Sequence, residues 1–426
     1  NGYQTAMIGK WHLVSEPTGF DYWDILIGQG DYYNPKFIKN GERVQREGYA
    51  TNIVTDLAIN WMDSIRDKSK PFCLFIHHKA PHRTWMPDLC DLDLYDDVIY
   101  PMPENFYDKY EGRIPASKQE MSIIKDMDLV YDLKMADKEN EIHTTTGLEE
   151  AGRNMYNALN PEQKAAWDKH YDPIIARFKK DKLTGKALAE WKYQQYMHDY
   201  MRVIHSVDRN VGRVLKYLEE NGLMGNTMIV YTSDQGFYMG EHGWFDKRLM
   251  YEECLRMPFV IRYPKEIKPG TDNKDITLNI DFAPLFLDYA GMDKPSQMQG
   301  ESFRSNLRNE TPANWRQAMY YRYWMNADND HNVTANYGIR TDRYKLIFYY
   351  GESLGMTGTK NESRTPEWEL YDLKEDPMEM KNLYHDPSKK ALIKELKTKL
   401  LELKQQYDDE DSKYPTMAEI ARKYYW

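Results

Sequence analysis

Short apolar runs alternate with amphipathic helical patterns along much of this sequence. Residues 52–66 carry apolar side chains at helical spacing, and the run KPFCLFIHH that follows is typical of a buried parallel strand. A long amphipathic pattern over 196–221 then precedes two further apolar runs, TMIVYTS and MPFVIRYP. This alternation predicts an α/β fold in which helices cover both faces of a mostly parallel sheet.

Two segments depart from this alternation. Residues 119–195 are charged and helical in pattern, and we interpret them as an insertion over the edge or mouth of the sheet. Beyond residue 312 the run NYGIRTDRYKLIFYY predicts a β-hairpin, and 388–407 predicts an amphipathic helix. We therefore predict a main domain over 1–311 and a small C-terminal subdomain over 312–426, built from an antiparallel sheet and a helix.

Composition excludes some classes of protein. The chain has 426 residues, which is enough for two domains, and a formal net charge of −10, which argues against nucleic-acid binding. Its 34 Tyr and 11 Trp suit polar ligands such as sugars, although composition alone favours their use as core residues. Three cysteines indicate neither a disulfide framework nor a compartment. No stretch approaches the ~20 apolar residues of a transmembrane segment.

Two short motifs at predicted strand ends carry groups that bind anions or transfer protons. Lys10 and His12 lie two residues apart after a β-like run, and His82 follows the strand KPFCLFIHH. Ligands of parallel sheets bind at the carboxyl ends of strands, so these positions favour a functional role. Taken singly, each is more often a solvated lysine or a core histidine.

A third strand end offers oxygen ligands for a metal ion. Asp234 and Gln235 follow the run TMIVYTS and supply a carboxylate and an amide oxygen, the ligands that Ca²⁺ and Mg²⁺ prefer. Two oxygens are too few for Ca²⁺, and an Asx turn explains the same residues. Lys247, farther along, is another candidate for binding an anion.

Four motifs in this order resemble those of sulfatases. GYQTAMIGKWHL is similar to the second sulfatase signature, and TSDQGFYMGEHGWFDKRLMYEECLRMPFVIRYP resembles the family's metal and lysine segment. LNIDFAPLFLDYAG and ELYDLKEDPMEMKNL resemble its closing helix and its C-terminal subdomain. Within the family, HHKAPHRTWMPD and QEMSIIKDMDLVYDLKM look most like bacterial N-acetylglucosamine-6-sulfatases that act on host glycans.

The resemblance implies a fold and a set of roles. The fold is an alkaline-phosphatase-like α/β/α sandwich, here without its first strands. Lys10 and Lys247 would bind sulfate, His12 would steady the nucleophile's hydroxyl, and His82 would protonate the leaving sugar oxygen. Asp234 and Gln235 would be ligands of Ca²⁺, with Mg²⁺ as the alternative, although the family often has Asn at the second position.

The nucleophile implied by the resemblance is a formylglycine, made from the Cys or Ser of a Cys-x-Pro-x-Arg motif. None of Cys73, Cys90 and Cys254 lies in such a motif, and SEPTG at Ser15 lacks the arginine. The family's early pair of metal-binding aspartates is also absent. In the family both features precede the second signature, so we expect an N-terminally truncated chain that is inactive alone. Any targeting segment is then expected upstream as well.

The resemblance also implies a substrate and a compartment. We expect a sulfuric ester hydrolase for a sulfated glycan, acting on the 6-O-sulfate of N-acetylglucosamine in a glycosaminoglycan such as heparan sulfate or in mucin. Such an enzyme would be periplasmic or secreted. A phosphodiesterase or phosphatase of the same superfamily and a non-catalytic glycan-binding relative are the alternatives. The oligomeric state stays open.

The stretch YYRYWMNADNDHNVTANYGIRT is the candidate sugar-binding segment. It places Asp328, Asp330 and His331 beside several aromatic residues, a mixture that suits hydroxyl hydrogen bonds and ring stacking. In sulfatases the loops of the C-terminal subdomain pack over the mouth of the active site. A solvated acidic loop is the competing interpretation.

Overall fold

The computed structural model describes residues 1–426, which form two units. The first contains residues 1–102 and 126–225, and the second contains 103–125 and 226–426. The division predicted between residues 311 and 312 therefore lies inside the second unit. It stays a prediction about domains, while the insertion predicted over 119–195 is shared between the units.

A five-stranded mixed sheet forms the centre of the first unit, in the order β4-β3-β2-β1-β5. Its strands are β1 (Gln4–Lys10), β2 (Tyr22–Leu26), β3 (Lys36–Lys39), β4 (Glu42–Gln45) and β5 (Phe72–His77). Strand β1 is parallel to both β2 and β5, whereas β3 and β4 are antiparallel. Strand β5 is an edge strand, so its apolar side chains are half-buried rather than buried as its sequence predicts.

The first α-helix of the chain packs against β1 and β5 of this sheet, and the fifth packs against the first. In chain order the first helices are α1 (Ala50–Asn60), α2 (Ile114–Lys118, in the second unit), α3 (Glu149–Asn157), α4 (Pro161–Asp181) and α5 (Gly185–Glu220). Asn160 caps α4 through a reciprocal pair of hydrogen bonds with Gln163, as the run LNPEQKAAW predicts. Helix α5 has 36 residues and begins inside the predicted insertion, so the boundary predicted at 195/196 is wrong.

The first part of the insertion, residues 119–148, forms loops and turns instead of the predicted helices. Aspartate side chains accept the backbone N–H groups there: Asp128 accepts those of Val130 and Tyr131, and Asp137 accepts those of Glu141 and Ile142. Local bonds of this kind compete with the helical ladder, which is the physical reason for the difference.

The second unit begins with short strands and helices around the metal and lysine segment. These are β6 (Ile229–Thr232), β7 (Tyr238–Met239), β8 (Phe245–Asp246), α6 (Glu252–Leu255), β9 (Phe259–Arg262) and α7 (Phe282–Tyr289). Strands β6 and β9 occupy the two predicted apolar runs but pair antiparallel with each other, and β7 pairs with β8.

A four-stranded antiparallel sheet and two helices complete the second unit, whereas the sequence predicted the sheet and only the first of these helices. They are β10 (Ala318–Tyr323), β11 (Asn336–Thr341), β12 (Tyr344–Tyr349), β13 (Glu367–Asp372), α8 (Lys390–Gln406) and α9 (Pro415–Tyr424). Leu396 and Leu400 of α8 and Met417 of α9 pack against the sheet in one buried cluster. Across the chain, no helix combines the length and apolarity that a bilayer crossing requires.

Candidate active site

The site residues predicted from the sequence are divided between the two units, and each group is described in its own unit. The first unit holds Lys10, His12 and His82. The second unit holds Asp234, Gln235, Lys247, Asp328, Asp330 and His331.

In the first unit, the ends of β1 and β5 bring the predicted motifs to one edge of the sheet. Gly9 pairs with His77 across these parallel strands, and the Nδ1 of His77 donates a hydrogen bond to the Lys10 carbonyl at 3.1 Å. A Cβ atom on Gly9 would lie 2.0 Å from the His77 carbonyl oxygen, so only glycine allows this approach. Lys10 and His12 therefore leave β1 beside the loop that carries His82.

Positive groups cluster at this edge. Partial burial, and then the charges of Lys10 and Lys79, lower the pKa of His12. The ammonium of Lys79 donates to the Gln29 carbonyl at 3.3 Å and lies 5.0 Å from the centre of the Tyr32 ring. Sequence reasoning missed Lys79, although it lies in the same strand-end loop as His82 and was open to the same argument.

His82 is half-buried and held by hydrogen bonds on three sides. Its N–H donates to the Lys79 carbonyl at 3.0 Å, and its carbonyl accepts from the hydroxyl of Tyr32 at 2.6 Å. Its Nδ1 lies 2.9 Å from the Arg83 carbonyl, an acceptor, so Nδ1 carries a proton and Nε2 is the atom for proton exchange. By contrast, the Nε2 of His78 lies 3.0 Å from the Thr55 hydroxyl, and loss of solvent around the ring lowers its pKa to about 4.

In the second unit, Asp234 and Gln235 follow β6 after one intervening residue, Ser233. The next residue, Gly236, donates its N–H to the Cys254 carbonyl at 2.8 Å, and a Cβ there would lie 1.9 Å from the Glu253 carbonyl oxygen. This close approach pins the turn and leaves the Asp234 carboxylate exposed. The two side chains fit a hard cation in chemistry, but they supply fewer oxygens than Ca²⁺ needs.

A cavity of about 230 Å³ in the second unit brings four predicted residues together. Its walls include Gln235, Lys247, Asp328 and Asp330. Three further wall residues are Arg248, which sequence reasoning did not single out, and Tyr321 and Tyr323, which are among the aromatic residues of the candidate sugar-binding stretch. Arg248 follows Lys247 directly, so its position was a usable signal. The two tyrosines lie on β10, and only the fold brings that strand to the cavity.

Lys247 is nearly buried and belongs to a charge cluster centred on Asp246. The Lys247 Nζ and the Arg248 Nη1 each lie 3.3 Å from Oδ1 of Asp246. Burial alone would raise the pKa of Asp246, but the charges of Lys247 and Arg248 hold it well below its usual value. The aspartate is therefore a fixed anion that orients two cations at the cavity.

His331 lies in this same cluster rather than on the surface. Its side chain is 2% exposed, its Nε2 lies 3.0 Å from Oδ2 of Asp246, and its Nδ1 lies 3.1 Å from the Glu120 carbonyl. The ring therefore lies between a carboxylate and a backbone carbonyl. Its role in sugar binding stays a prediction, and in this arrangement any influence on a ligand would pass through Asp246.

The two aspartates of the candidate sugar segment differ in their surroundings. Asp328 is buried and accepts backbone N–H groups from Asp330, His331 and Val333 at 3.2, 2.8 and 3.0 Å, so it shapes the loop. Asp330 is exposed and lies at the cavity wall. Of the two, Asp330 has the carboxylate better suited to a sugar hydroxyl.

None of the three cysteines is poised as a nucleophile. Burial raises the pKa of Cys73, burial raises that of Cys254 to about 11, and burial with the charges of Asp88 and Asp91 raises that of Cys90 to about 11. A thiol that is protonated at neutral pH is a poor nucleophile and a poor metal ligand. The exposed Cys90 lies between two aspartates that Arg209 already pairs, with N–O distances of 2.6 Å.

Family models match most of the chain. A model described as "Sulfatase" matches residues 1–292, and one described as "N-sulphoglucosamine sulphohydrolase, C-terminal" matches residues 240–406. Together they span both the strand-end motifs and the C-terminal sheet.

Curated relatives and a solved structure agree with these matches. The chain is 49% identical over 416 residues to an N-acetylglucosamine-6-O-sulfatase of Bacteroides thetaiotaomicron, covering 96% of this chain and 72% of the relative. It is 28% identical over 342 residues to the human N-acetylglucosamine-6-sulfatase, covering 76% of this chain and 50% of that protein. The chain thus spans about half the length of the human relative.

A solved structure of a protein in complex with its substrate, D-glucosamine-2-N,6-O-disulfate, superposes with a TM-score of 0.89 at 49% identity. The alignment covers 96% of this chain and 81% of that one. This similarity confirms the alkaline-phosphatase-like α/β fold predicted from the sequence. On the extent of the family match and the identity to a curated sulfatase, the chain belongs to the sulfatase family of sulfuric ester hydrolases.

Proposed function

We propose that this protein removes the 6-O-sulfate of N-acetylglucosamine or glucosamine units in a sulfated glycan. The cavity of the second unit carries the proposal, because it combines two cations, Lys247 and Arg248, with an exposed carboxylate, Asp330, and two tyrosines. Cations suit a sulfate group, whereas a carboxylate and aromatic rings suit a sugar. The names of the Bacteroides and human relatives support the same substrate.

The lysines would act on the charge of the sulfuryl group. A sulfate ester is anionic, and charge builds on its oxygens as the ester bond breaks. Lys247 is oriented in advance by Asp246 at 3.3 Å, and Lys10 projects from the end of β1. Cations fixed before the reaction stabilise such a transition state without reorganisation, which is usually the largest catalytic contribution.

His82 would act as the general acid. A sugar alkoxide is a poor leaving group and needs a proton as it departs, and positioned acids contribute ~10²–10⁴-fold. The Nδ1 of His82 is committed to the Arg83 carbonyl, so Nε2 would deliver the proton. His12, whose pKa is lowered by partial burial and by Lys10 and Lys79, would accept a hydrogen bond from the attacking hydroxyl.

Asp234 and Gln235 would hold the metal ion, for which we propose Ca²⁺, and further oxygen ligands would complete its shell. Bound there, the ion would add positive charge toward the sulfuryl oxygens. The family's formylglycine would supply the attacking hydroxyl. We further propose a glycosaminoglycan such as heparan sulfate, or mucin, as the polymer, and a periplasmic or secreted location.

The proposal is tested in a reconstituted enzyme, defined here as this chain preceded by the N-terminal segment of a formylglycine sulfatase up to the second signature. Release of inorganic sulfate is measured from N-acetylglucosamine-6-sulfate and from its 3-sulfate isomer. We expect hydrolysis of the 6-sulfate, a loss on Lys247→Ala, and no loss on Lys216→Ala, an exposed lysine of α5. Preference for the 3-sulfate would contradict the proposed substrate.

A further inference from the structure

We propose that Arg83 and Asp132 are positioning residues for the imidazole of His82. Asp132 belongs to the turn formed by residues 128–132, inside the segment predicted as an insertion. The inference rests on the proposed function, in which His82 protonates the leaving sugar oxygen. It adds an interaction through which this turn, within the first unit, controls proton transfer.

The ring of His82 is held by a hydrogen bond to the backbone of Arg83. The Nδ1 of His82 donates to the backbone carbonyl of Arg83 at 2.9 Å, so the position of that carbonyl sets the rotation of the ring. The same contact fixes the proton on Nδ1 and directs Nε2 to the reaction. Whatever holds Arg83 therefore also holds the atom that transfers the proton.

Arg83 is held in turn by an ion pair with Asp132. Its Nε and Nη2 donate to Oδ1 and Oδ2 of Asp132, both at 2.7 Å, and the Asp132 side chain is fully buried. The guanidinium lies 5.3 Å from the centre of the Tyr131 ring. A bidentate pair in a buried setting fixes orientation as well as distance, which a lysine could not do.

Asp132 is itself fixed by the hydrogen bonds of its turn. Oδ2 of Asp132 also accepts the N–H of Asp128 at 2.8 Å, and Oδ1 of Asp128 accepts those of Val130 and Tyr131 at 2.7 Å each. The turn is thus closed by its own carboxylates, and it presents the Asp132 side chain to Arg83 in one orientation. Misplacement of a catalytic group by about 1 Å can cost about 10²-fold in rate.

The rates on two substrates with different leaving groups distinguish a positioning role from a purely structural ion pair. A sugar alkoxide needs protonation to leave, whereas 4-nitrophenolate leaves without it. A displaced His82 should therefore slow hydrolysis of N-acetylglucosamine-6-sulfate and spare 4-nitrophenyl sulfate. General loss of folded enzyme would lower both rates equally.

The test compares three variants of the reconstituted enzyme on these two substrates. We expect Asp132→Asn and Arg83→Lys to lower kcat on the sugar sulfate by roughly 10–100-fold with KM little changed, and to change kcat on the aryl sulfate by less than about 3-fold. Asp24→Asn is the matched control, because Asp24 is equally buried and accepts two hydrogen bonds from Arg46, at 3.1 and 2.6 Å, in the same unit. It should show no difference between the substrates.

His82→Ala distinguishes the general-acid role of His82 from the positioning role of Arg83 and Asp132. If it slows both substrates equally, the general-acid assignment is wrong, and the inference falls with it. If His82→Ala is selective for the sugar sulfate but Asp132→Asn and Arg83→Lys are not, the positioning role alone is contradicted. In this chain itself, ¹⁵N NMR of the His82 ring should show Nδ1 losing its fixed proton in Asp132→Asn, and an unchanged ring would equally oppose the inference.

Discussion

The strand-end groups of the first unit and the charge cluster of the second unit hold their cations in different ways. In the first unit, the positive charges of Lys10 and Lys79 lower the pKa of His12, and the Lys79 ammonium donates to a backbone carbonyl. In the second, the buried Asp246 carboxylate lies 3.3 Å from a nitrogen atom of each of two cations, Lys247 and Arg248. The cations of the first unit repel one another, whereas those of the second are oriented by a shared carboxylate that balances only one of them.

The largest loss of activity should come from replacing the two lysines predicted to bind sulfate, and the two variants should differ in stability. Lys10→Ala and Lys247→Ala should each lower kcat of the reconstituted enzyme by about 10²–10³-fold, because each removes a cation from the developing charge. Only Lys247→Ala should also lower the free energy of unfolding, by about 1–3 kcal/mol, since it leaves Asp246 with one partner fewer. Equal stability losses in the two variants would remove the distinction between the units.

The next effect concerns His331, which lies against Asp246. His331→Ala should destabilise the protein by about 1–3 kcal/mol, because a buried carboxylate loses a hydrogen-bond donor. It should also lower kcat/KM for N-acetylglucosamine-6-sulfate more than for a small aryl sulfate, which makes no sugar contacts. Denaturant unfolding and the two assays measure this. Loss on neither substrate would take His331 out of the account of binding.

Metal retention should respond to Asp234 and not to acidic residues in general. Asp234→Ala should lower the Ca²⁺ content of the reconstituted enzyme, measured by elemental analysis after dialysis, because a carboxylate ligand is lost. Asp272→Ala, in an exposed loop of the same unit, is the control. Full occupancy and activity in Asp234→Ala would show that the ligand assignment is wrong.

The smallest effect is a change in the pKa of His12. Because the charge of Lys10 helps to lower that pKa, Lys10→Met should raise it toward the usual value, and added sulfate should raise it in this chain. The lowered pKa means that the unfolded chain binds the proton more readily, so stability falls as pH drops below the unfolded value. Lys10→Met should reduce that loss. An NMR titration in which the His12 pKa is the same in Lys10→Met would contradict an electrostatic interaction between Lys10 and His12.

What could be predicted from sequence follows from the range of the interactions. Lys10 ends β1, and His82 and Asp234 follow β5 and β6 within five residues, so the strand-end rule needs only the local pattern. The pair of Arg83 with Asp132 spans 49 residues, and that of His331 with Asp246 spans 85. No local pattern reports such pairs. The spacing of apolar residues around Asp132 predicts a helix, because hydrophobic periodicity does not indicate turns that are closed by aspartate side chains.

Sulfate release from N-acetylglucosamine-6-sulfate, compared with phosphate release from N-acetylglucosamine-6-phosphate, distinguishes a sulfatase from a phosphatase of the same superfamily. We expect the reconstituted enzyme to hydrolyse the sulfate ester strongly and the phosphate ester weakly, and this 426-residue chain alone to hydrolyse neither, since none of its cysteines lies in the formylglycine motif. A preference for the phosphate ester, or turnover of the sulfate by this chain alone, would contradict the account.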